Sequence, residues 1–387
     1  MARTLDGGLL TRNQSAPERA LHAVWTLRLA LGLTALLGAI LFLEGTSWDI
    51  QWHIFLGRDR TLIPPHMVML TGVALSGISG LLAVVLESFW ARRDSQVAQR
   101  GTNFASIFSG SLGAYIVGFA ALDAAIAFPL DAYWHALYGI DVAIWAPFHI
   151  MFVAGMGVVA LGSAYMLASA ANLAFSRRGK LVASIGLALA LATVLSIFTL
   201  LLFDSMEVGN TPLLGFFYLN FFPLLAGVLT TFVLVTAAYA LPWRWSATAI
   251  VSLYLLLAGI MAVYVQPATD WLASVENLSY RREAIFTSAV TLQWFMAPVL
   301  VALLIDIAVR HAQHKHWSTR KLTLVLTAIA MLSTLPLELL RPELLLMVFV
   351  YLGPLGSLAS YLLGLAGVYI GQHWGRTVGD SMAILER

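Results

Sequence analysis

Long apolar runs separated by short polar connections divide this chain from end to end. A helix needs about 20 consecutive apolar residues to cross a bilayer core, and ten runs reach or approach that length. They cover residues 23–44, 64–90, 104–128, 144–175, 181–203, 213–241, 247–267, 285–308, 322–337 and 344–371. The ninth is the weakest, because Pro336 and Glu338 crowd its end. Only helices and closed barrels satisfy their backbone in lipid, and these runs are too long for barrel strands. The pattern predicts an all-α, polytopic integral membrane protein of about ten transmembrane helices.

The connections differ in charge from one side to the other. Arg92, Arg93 and Arg100, then Arg177, Arg178 and Lys180, then Arg244, then Arg310, Lys315, Arg320 and Lys321 fall on one side. With both chain ends and Arg28, that side holds seventeen of the twenty-two Lys and Arg, leaving Arg58, Arg60, Arg281, Arg282 and Arg341 opposite. The positive-inside rule then places both termini in the cytoplasm. Four regions are expected: a cytoplasmic tail at 1–22, a four-helix region at 23–175 that carries the motifs below, six further helices at 176–371, and a cytoplasmic tail at 372–387.

Composition agrees with the pattern. Apolar residues make up 60% of the chain and charged residues 11%, against about 25% charged in ordinary soluble domains. The mean hydropathy is +0.83. Cysteine is absent, which excludes disulfides, thiolate metal sites and haem attached through cysteine. The net charge of +2 offers no ground for a nucleic-acid partner. The first twenty residues lack the apolar core and small-residue cleavage site of a signal peptide and read as a polar tail.

Two polar stretches interrupt the apolar pattern, "SWDIQWHIFLGRDRTLIPPHMVMLTG" from Ser47 and "PLDAYWHALYGIDVAIWAPFHIMFVAG" from Pro129. Aligned on their first Asp, Asp49, Trp52, His53, Gly57, Asp59, Pro64, His66 and Gly72 match Asp131, Trp134, His135, Gly139, Asp141, Pro147, His149 and Gly155, with one extra residue before the second Pro. Helices one and three enter the membrane in the same sense, so the two hairpins form a parallel internal repeat. Asp49 and His53 are four apart and share a helix face, as do Asp131 and His135. His66 and His149 each lie two residues after a proline suited to a helix start. Each hairpin thus offers one carboxylate and two imidazoles. Imidazole suits copper, zinc and iron, a mixed N,O set suits Cu(II) or Fe(II), and two His with one carboxylate leave coordination positions open. The plainer account is that His, Asp and Trp at a membrane surface anchor helix ends; the second copy weighs against it. Asp59 and Asp141 either orient a ligand imidazole or stand in solvent. Trp52 and Trp134 read as interfacial packing.

These same residues resemble the C subunit of the particulate methane and ammonia monooxygenases. That family carries D-x-x-W-H-x-x-x-x-R-D-x-x-x-x-P-x-H, which Asp49, Trp52, His53, Arg58, Asp59, Pro64 and His66 reproduce without a gap. Its second motif is Asn-x-x-x-His with another His fourteen residues on; Asp131, His135 and His149 match that spacing, with Asp in place of Asn. The resemblance covers about residues 25–175. It implies copper, one or two ions, on Asp49, His53 and His66 and on Asp131, His135 and His149, with iron or zinc less favoured. It also implies A- and B-type partner subunits and O2-dependent hydroxylation of a short hydrocarbon or ammonia in a prokaryotic inner (plasma) membrane. About six spans follow the matched region, and no cupredoxin-like domain of the family's B subunit is present. Arg58 beside Asp59 is expected to pair with it and leave Asp49 as the ligand.

Other polar residues have simpler expectations. Asp123, eight residues before Asp131, is either a proton relay, a support for the ligands or a helix-packing group. Glu44 and Glu87 sit near span ends, where interfacial solvation is expected. His311, His314 and His316 form a basic, solvated "HAQHKH" segment, and His22 and His373 show no partner in sequence. Gly and Ala clusters such as "GVALSGISG" permit close helix packing. Two readings compete with a copper enzyme subunit: a non-catalytic, metal-stabilised subunit of a larger, respiratory-type membrane complex, and a copper or proton transporter.

Overall fold

The computed structural model describes residues 16–57, 60, 62–139, 143–207, 210–213, 217–281, 296–335 and 343–386. Among them, eight helices are long and apolar enough to cross a membrane, so the chain is a multi-pass helical membrane protein. The helices are α1 (Ala16–Phe55), α2 (Pro64–Ala91), the short α3 (Ser95–Gln99), α4 (Leu112–Tyr138), α5 (Pro147–Leu173), α6 (Arg177–Glu207), α7 (Phe222–Ala240) and α8 (Ser246–Val275). Met296–His314 (α9), Thr319–Ala330 (α10) and Glu343–Ile384 (α11) follow. Two small antiparallel hairpins complete the set, β1 (Thr102–Phe104) with β2 (Phe108–Gly110) and β3 (Asn210–Leu213) with β4 (Phe217–Asn220).

The spans depart from the expected ten in ways that follow from polar residues. The run at 104–128 begins with a hairpin, turned at Ala105 and Ser106 with positive φ, and its helix starts only at Leu112. The run at 213–241 likewise gives its first residues to β3 and β4. The ninth run yields the twelve-residue α10 and a 3-10 turn, Met331–Thr334. At 1.5 Å per residue α10 is about 18 Å long, well short of the roughly 30 Å of hydrocarbon. Residues 282–295, which include the start of the eighth run, lie outside the described residues. The expected tail at 372–387 instead continues α11, which bends at Gly353–Pro354 and runs to Ile384.

α1 packs along α2 and α4 along α5, while α2 also meets α4 and α1 also meets α5. α6 lies behind this group against α5, and α7 pairs along its length with α11. Small residues let the first pair approach closely. A Cβ on Gly72 would meet the Gly38 carbonyl and lie 2.9 Å from the Phe42 nitrogen, and one on Gly38 would lie 2.5 Å from the Gly72 carbonyl. Gly72→Ala must therefore push α1 from α2, at a cost of about 1–3 kcal/mol for the overpacked contact. We expect a lower unfolding temperature in detergent and weaker metal binding by residues on α1 and α2, with the α4–α5 pair spared. Unchanged binding at both pairs would show that this approach does not set the site.

A charge network closes the end of the bundle where α2 and α5 finish. Arg28 is fully buried and all five of its N–H bonds find acceptors. Nε donates to Glu87 Oε1 at 3.0 Å, and Nη2 donates to Glu87 Oε2 at 2.6 Å and to the Arg100 carbonyl at 2.8 Å. Nη1 donates to Ser169 Oγ at 2.7 Å and to Glu386 Oε2 at 2.6 Å. The other oxygen of Glu386 accepts the Leu112 N–H at 2.8 Å. Glu87 is thus a buried ion-pair partner, which corrects the expectation of interfacial solvation.

Candidate metal centre

The first three candidate ligands come from the end of α1 and the start of α2. α1 stays helical through Asp49 and His53 and stops at Gly57, whose φ of +64° suits glycine. α2 opens on Pro64 and Pro65, which lack the N–H groups a first turn cannot pair, after an extended Ile63. This puts His66 in the first turn, facing α1. His66 Nε2 lies 3.0 Å from Asp49 Oδ1, and His53 Nδ1 lies 3.3 Å from the same oxygen. The His53 and His66 rings are 6.0 Å apart and 25° from parallel.

The second three are built the same way. α4 carries Asp131 and His135 and stops at Gly139, with φ of +88°, whose N–H caps the His135 carbonyl at 3.0 Å. α5 opens on Pro147 after an extended Ala146, and His149 follows in its first turn. His135 Nε2 is 3.3 Å from Asp131 Oδ2, and His149 Nε2 is 3.2 Å from Asp131 Oδ1. In each triad the three candidate ligand atoms lie within 4.8 Å of one another.

The protonation pattern decides what these clusters want. His135 Nδ1–H donates to the Gly139 carbonyl at 3.1 Å, and His149 Nδ1–H donates to the Ala143 carbonyl at 2.7 Å. A backbone acceptor on Nδ1 leaves the lone pair of a neutral ring on Nε2. Both Nε2 atoms then face the Asp131 carboxylate, an arrangement that either a proton on the ring or a bound cation satisfies. His53 Nδ1–H similarly donates to the Asp49 carbonyl at 2.9 Å. Asp49 Oδ1 and Asp131 Oδ1 are buried and face imidazole nitrogens at 3.0–3.3 Å. Ligand atoms that share one ion at 2.0–2.1 Å stand roughly 2.9–3.4 Å apart, which matches the carboxylate separations from Nε2 of His66, His135 and His149. The residues fit a divalent transition metal in each set.

Both triads line one cavity of about 60 Å³, several times the roughly 10–15 Å³ that one water requires. Its apolar wall includes Phe42, Met69, Phe128 and Phe152. Phe128, from α4, sets its ring edge-on to His66 at 5.9 Å and to Phe152 at 6.2 Å, so the second hairpin walls the first site.

Among the described residues the first triad has a support that the second lacks. The far end of α8 packs against the back of α1, where Trp48, Trp52, Leu56, Val265, Leu272 and Ala273 form a buried cluster. Trp52 is fully buried there. Gln51, also fully buried, donates its amide N–H to Gln266 Oε1, and Gln266 Nε2 donates to Asp270 Oδ1 at 3.0 Å and to the Tyr280 hydroxyl at 3.1 Å. Tyr280 in turn donates to Asp270 Oδ1 at 2.5 Å. Burial and the Asp270 carboxylate push its phenol up to about 12, so it remains a donor at neutral pH. On α4 the matching face exposes Leu130, Tyr133, Leu137 and Tyr138.

All six sequence-predicted ligands converge in two sets. Asp123 is half-buried on α4, is not among the cavity's lining residues, and stands eight residues or about 12 Å along the helix from Asp131. Arg58, Asp59 and Asp141 lie outside the described residues. His311 sets its ring edge-on to Trp317, and His22 packs on Trp25 and Phe175. Among the described residues only the two triads gather three His, Asp or Glu ligands. The cavity wall was missed because apolar residues in an apolar run carry no signal of their own. Stepping three positions from each ligand would have found it: Met69 from His66, Phe128 from Asp131 and Phe152 from His149.

The fold and the site together define a multi-pass helical membrane protein with two Asp-His-His clusters on one cavity. No protein-family model, curated protein or solved structure matches the chain.

Proposed function

We propose that the chain is a copper-binding membrane subunit of the monooxygenase C-subunit kind, acting with A- and B-type partners on a short hydrocarbon or ammonia. The observation that carries the metal reading is the convergence, twice over, of one carboxylate and two imidazoles whose ligand atoms lie within 4.8 Å of one another on a shared cavity. The copper assignment and the substrate rest on the motif resemblance. Asp49, His53 and His66 hold one ion, and Asp131, His135 and His149 hold the other. Copper bound there supplies one-electron redox chemistry and O2 activation. The chain supplies the rest. Backbone carbonyls lock the His135 and His149 tautomers, the carboxylates offset the ionic charge, and Phe42, Phe128 and Phe152 keep bulk water from the cavity. The two hairpins are copies related by an axis along the membrane normal. Both termini face the cytoplasm of a prokaryotic cell, and the clusters lie at the opposite surface of its inner membrane.

A second reading, a metal-stabilised subunit without catalysis, draws on the exposed aromatic back of α4, which offers another subunit a surface. Purified protein dialysed against Cu(II), Fe(II) or Zn(II) separates these readings. Two tightly held copper ions with nitrogen hyperfine structure, and O2-dependent product formation once partners and reductant are added, are expected. Copper without turnover supports the second reading. Failure to retain any of the three metals would end both.

A further inference from the structure

At the end of the bundle away from the triads, the end of α7, the start of α8 and the second half of α9 enclose an open cleft of about 870 Å³. Its wall presents Arg244, Arg310, His311 and His314. The one acid there, Asp306, is committed elsewhere. Its Oδ1 accepts the Ala247 N–H at 3.1 Å, and its Oδ2 accepts the Thr248 N–H at 2.8 Å and hydroxyl at 2.7 Å, capping the first turn of α8. Among the described residues neither Arg244 nor Arg310 has a carboxylate partner. Arg310 lies over Trp245 with its guanidinium carbon 3.5 Å from the ring centroid, and its Nε donates to the Asp306 carbonyl at 3.2 Å, which together hold its charge at the cleft. Behind the wall, Arg376 lies over the Tyr239 ring, with Nε and Nη2 buried and without an acceptor among the described residues. The cleft is therefore a site of uncompensated positive charge, and its natural ligand is an anion.

The surroundings say which anion. Trp243 lines the cleft, Trp245 carries Arg310, and Trp317 carries Lys321 with its nitrogen 4.3 Å from the ring. Indoles beside basic residues mark headgroup level in a bilayer. Ile307 lines the cleft and is exposed, and Leu303 and Leu300 continue that exposed apolar stripe along α9 away from the cleft. A free phosphate has no use for such a stripe, whereas a phospholipid lays an acyl chain on it. We infer that this cleft binds the phosphate of an anionic phospholipid, with Arg244 and Arg310 as the principal contacts and the α9 stripe as the chain's seat. This inference needs only the membrane embedding and stands apart from the metal reading.

Full-length protein in mixed micelles is titrated with phosphatidylglycerol or phosphatidylcholine, and co-eluting lipid is counted. The wild type is expected to retain phosphatidylglycerol selectively. Arg244→Ala with Arg310→Ala should weaken that selectivity about thirtyfold, the weight of two basic residues near a headgroup, with metal content at the triads unchanged. The Arg244→Lys, Arg310→Lys pair should keep most of it. Should the double alanine variant fail to fold, Arg244→Ala alone, at an exposed position, still has to lower the selectivity severalfold. Equal retention of the two lipids by the wild type, or no change in the folded alanine variant, overturns the proposal. So does displacement of the lipid by millimolar inorganic phosphate, which would mark a site for a free anion.

Discussion

His53→Ala should take bound metal from two ions per chain toward one, and His135→Ala should do so less completely. Removal of a partner that merely orients a ligand typically costs 10–100-fold in metal affinity, so loss of a ligand itself should cost at least that. His53→Ala also leaves Asp49 as a buried carboxylate with one imidazole instead of two. The ranking follows from support. The back of α1 is covered by α8 and tied to it through Gln51, whereas the back of α4 is exposed. A site on a braced helix is better preorganised and holds its ion more tightly, so it has more to lose. Elemental analysis of both variants, after dialysis at equal metal concentration, decides the ranking. Equal retention, or a greater loss from His135→Ala, would reverse it.

Arg28→Ala should be among the most destabilising single changes in the described bundle. It removes the cation that, among the described residues, pairs with both Glu87 and Glu386 and leaves two carboxylates there. Breaking a buried pair by removing one partner costs about 3–5 kcal/mol, and here two acids lose the same partner. Unfolding in detergent, followed by heat or denaturant, should show the loss. Arg28→Met combined with Glu87→Leu and Glu386→Leu removes all three charges and should recover most of the stability, because well-packed apolar replacements of buried ions are often neutral. If the triple variant is no more stable than Arg28→Ala, the network matters for its shape and not for its charge balance.

What the sequence revealed depended on how local each feature is. The ligands were legible because a four-residue helical spacing and a proline at a helix start are local facts, and the duplicate at Asp131, His135 and His149 reinforced the first set. Helix ends were harder. Gly45, Thr46 and Ser47 read as a break after residue 44, yet Thr46 and Ser47 return their hydroxyls to the Phe42 and Leu43 carbonyls, both at 2.8 Å, and the helix runs on to Phe55. The ninth run satisfied hydropathy but not length. Contacts between distant residues, Gln51 with Gln266 and Arg28 with Glu87 and Glu386, leave no mark in a single sequence. Trp52 is fully buried and Trp134 only partly so, because α8 covers one of two similar helices.

The bridge from Gln51 to Gln266 joins residues 215 positions apart, and that distance has a meaning in time. Chains emerge from the ribosome at about 5–20 residues per second, so Gln266 follows Gln51 by roughly 10–45 s. The second triad needs only α4 and α5, which are neighbours in the chain and complete one another as soon as both are inserted. The first triad gains its brace much later. During synthesis the order of the two sites is thus inverted: the unbraced cluster is complete first, and the braced one waits for the far half of the protein to arrive.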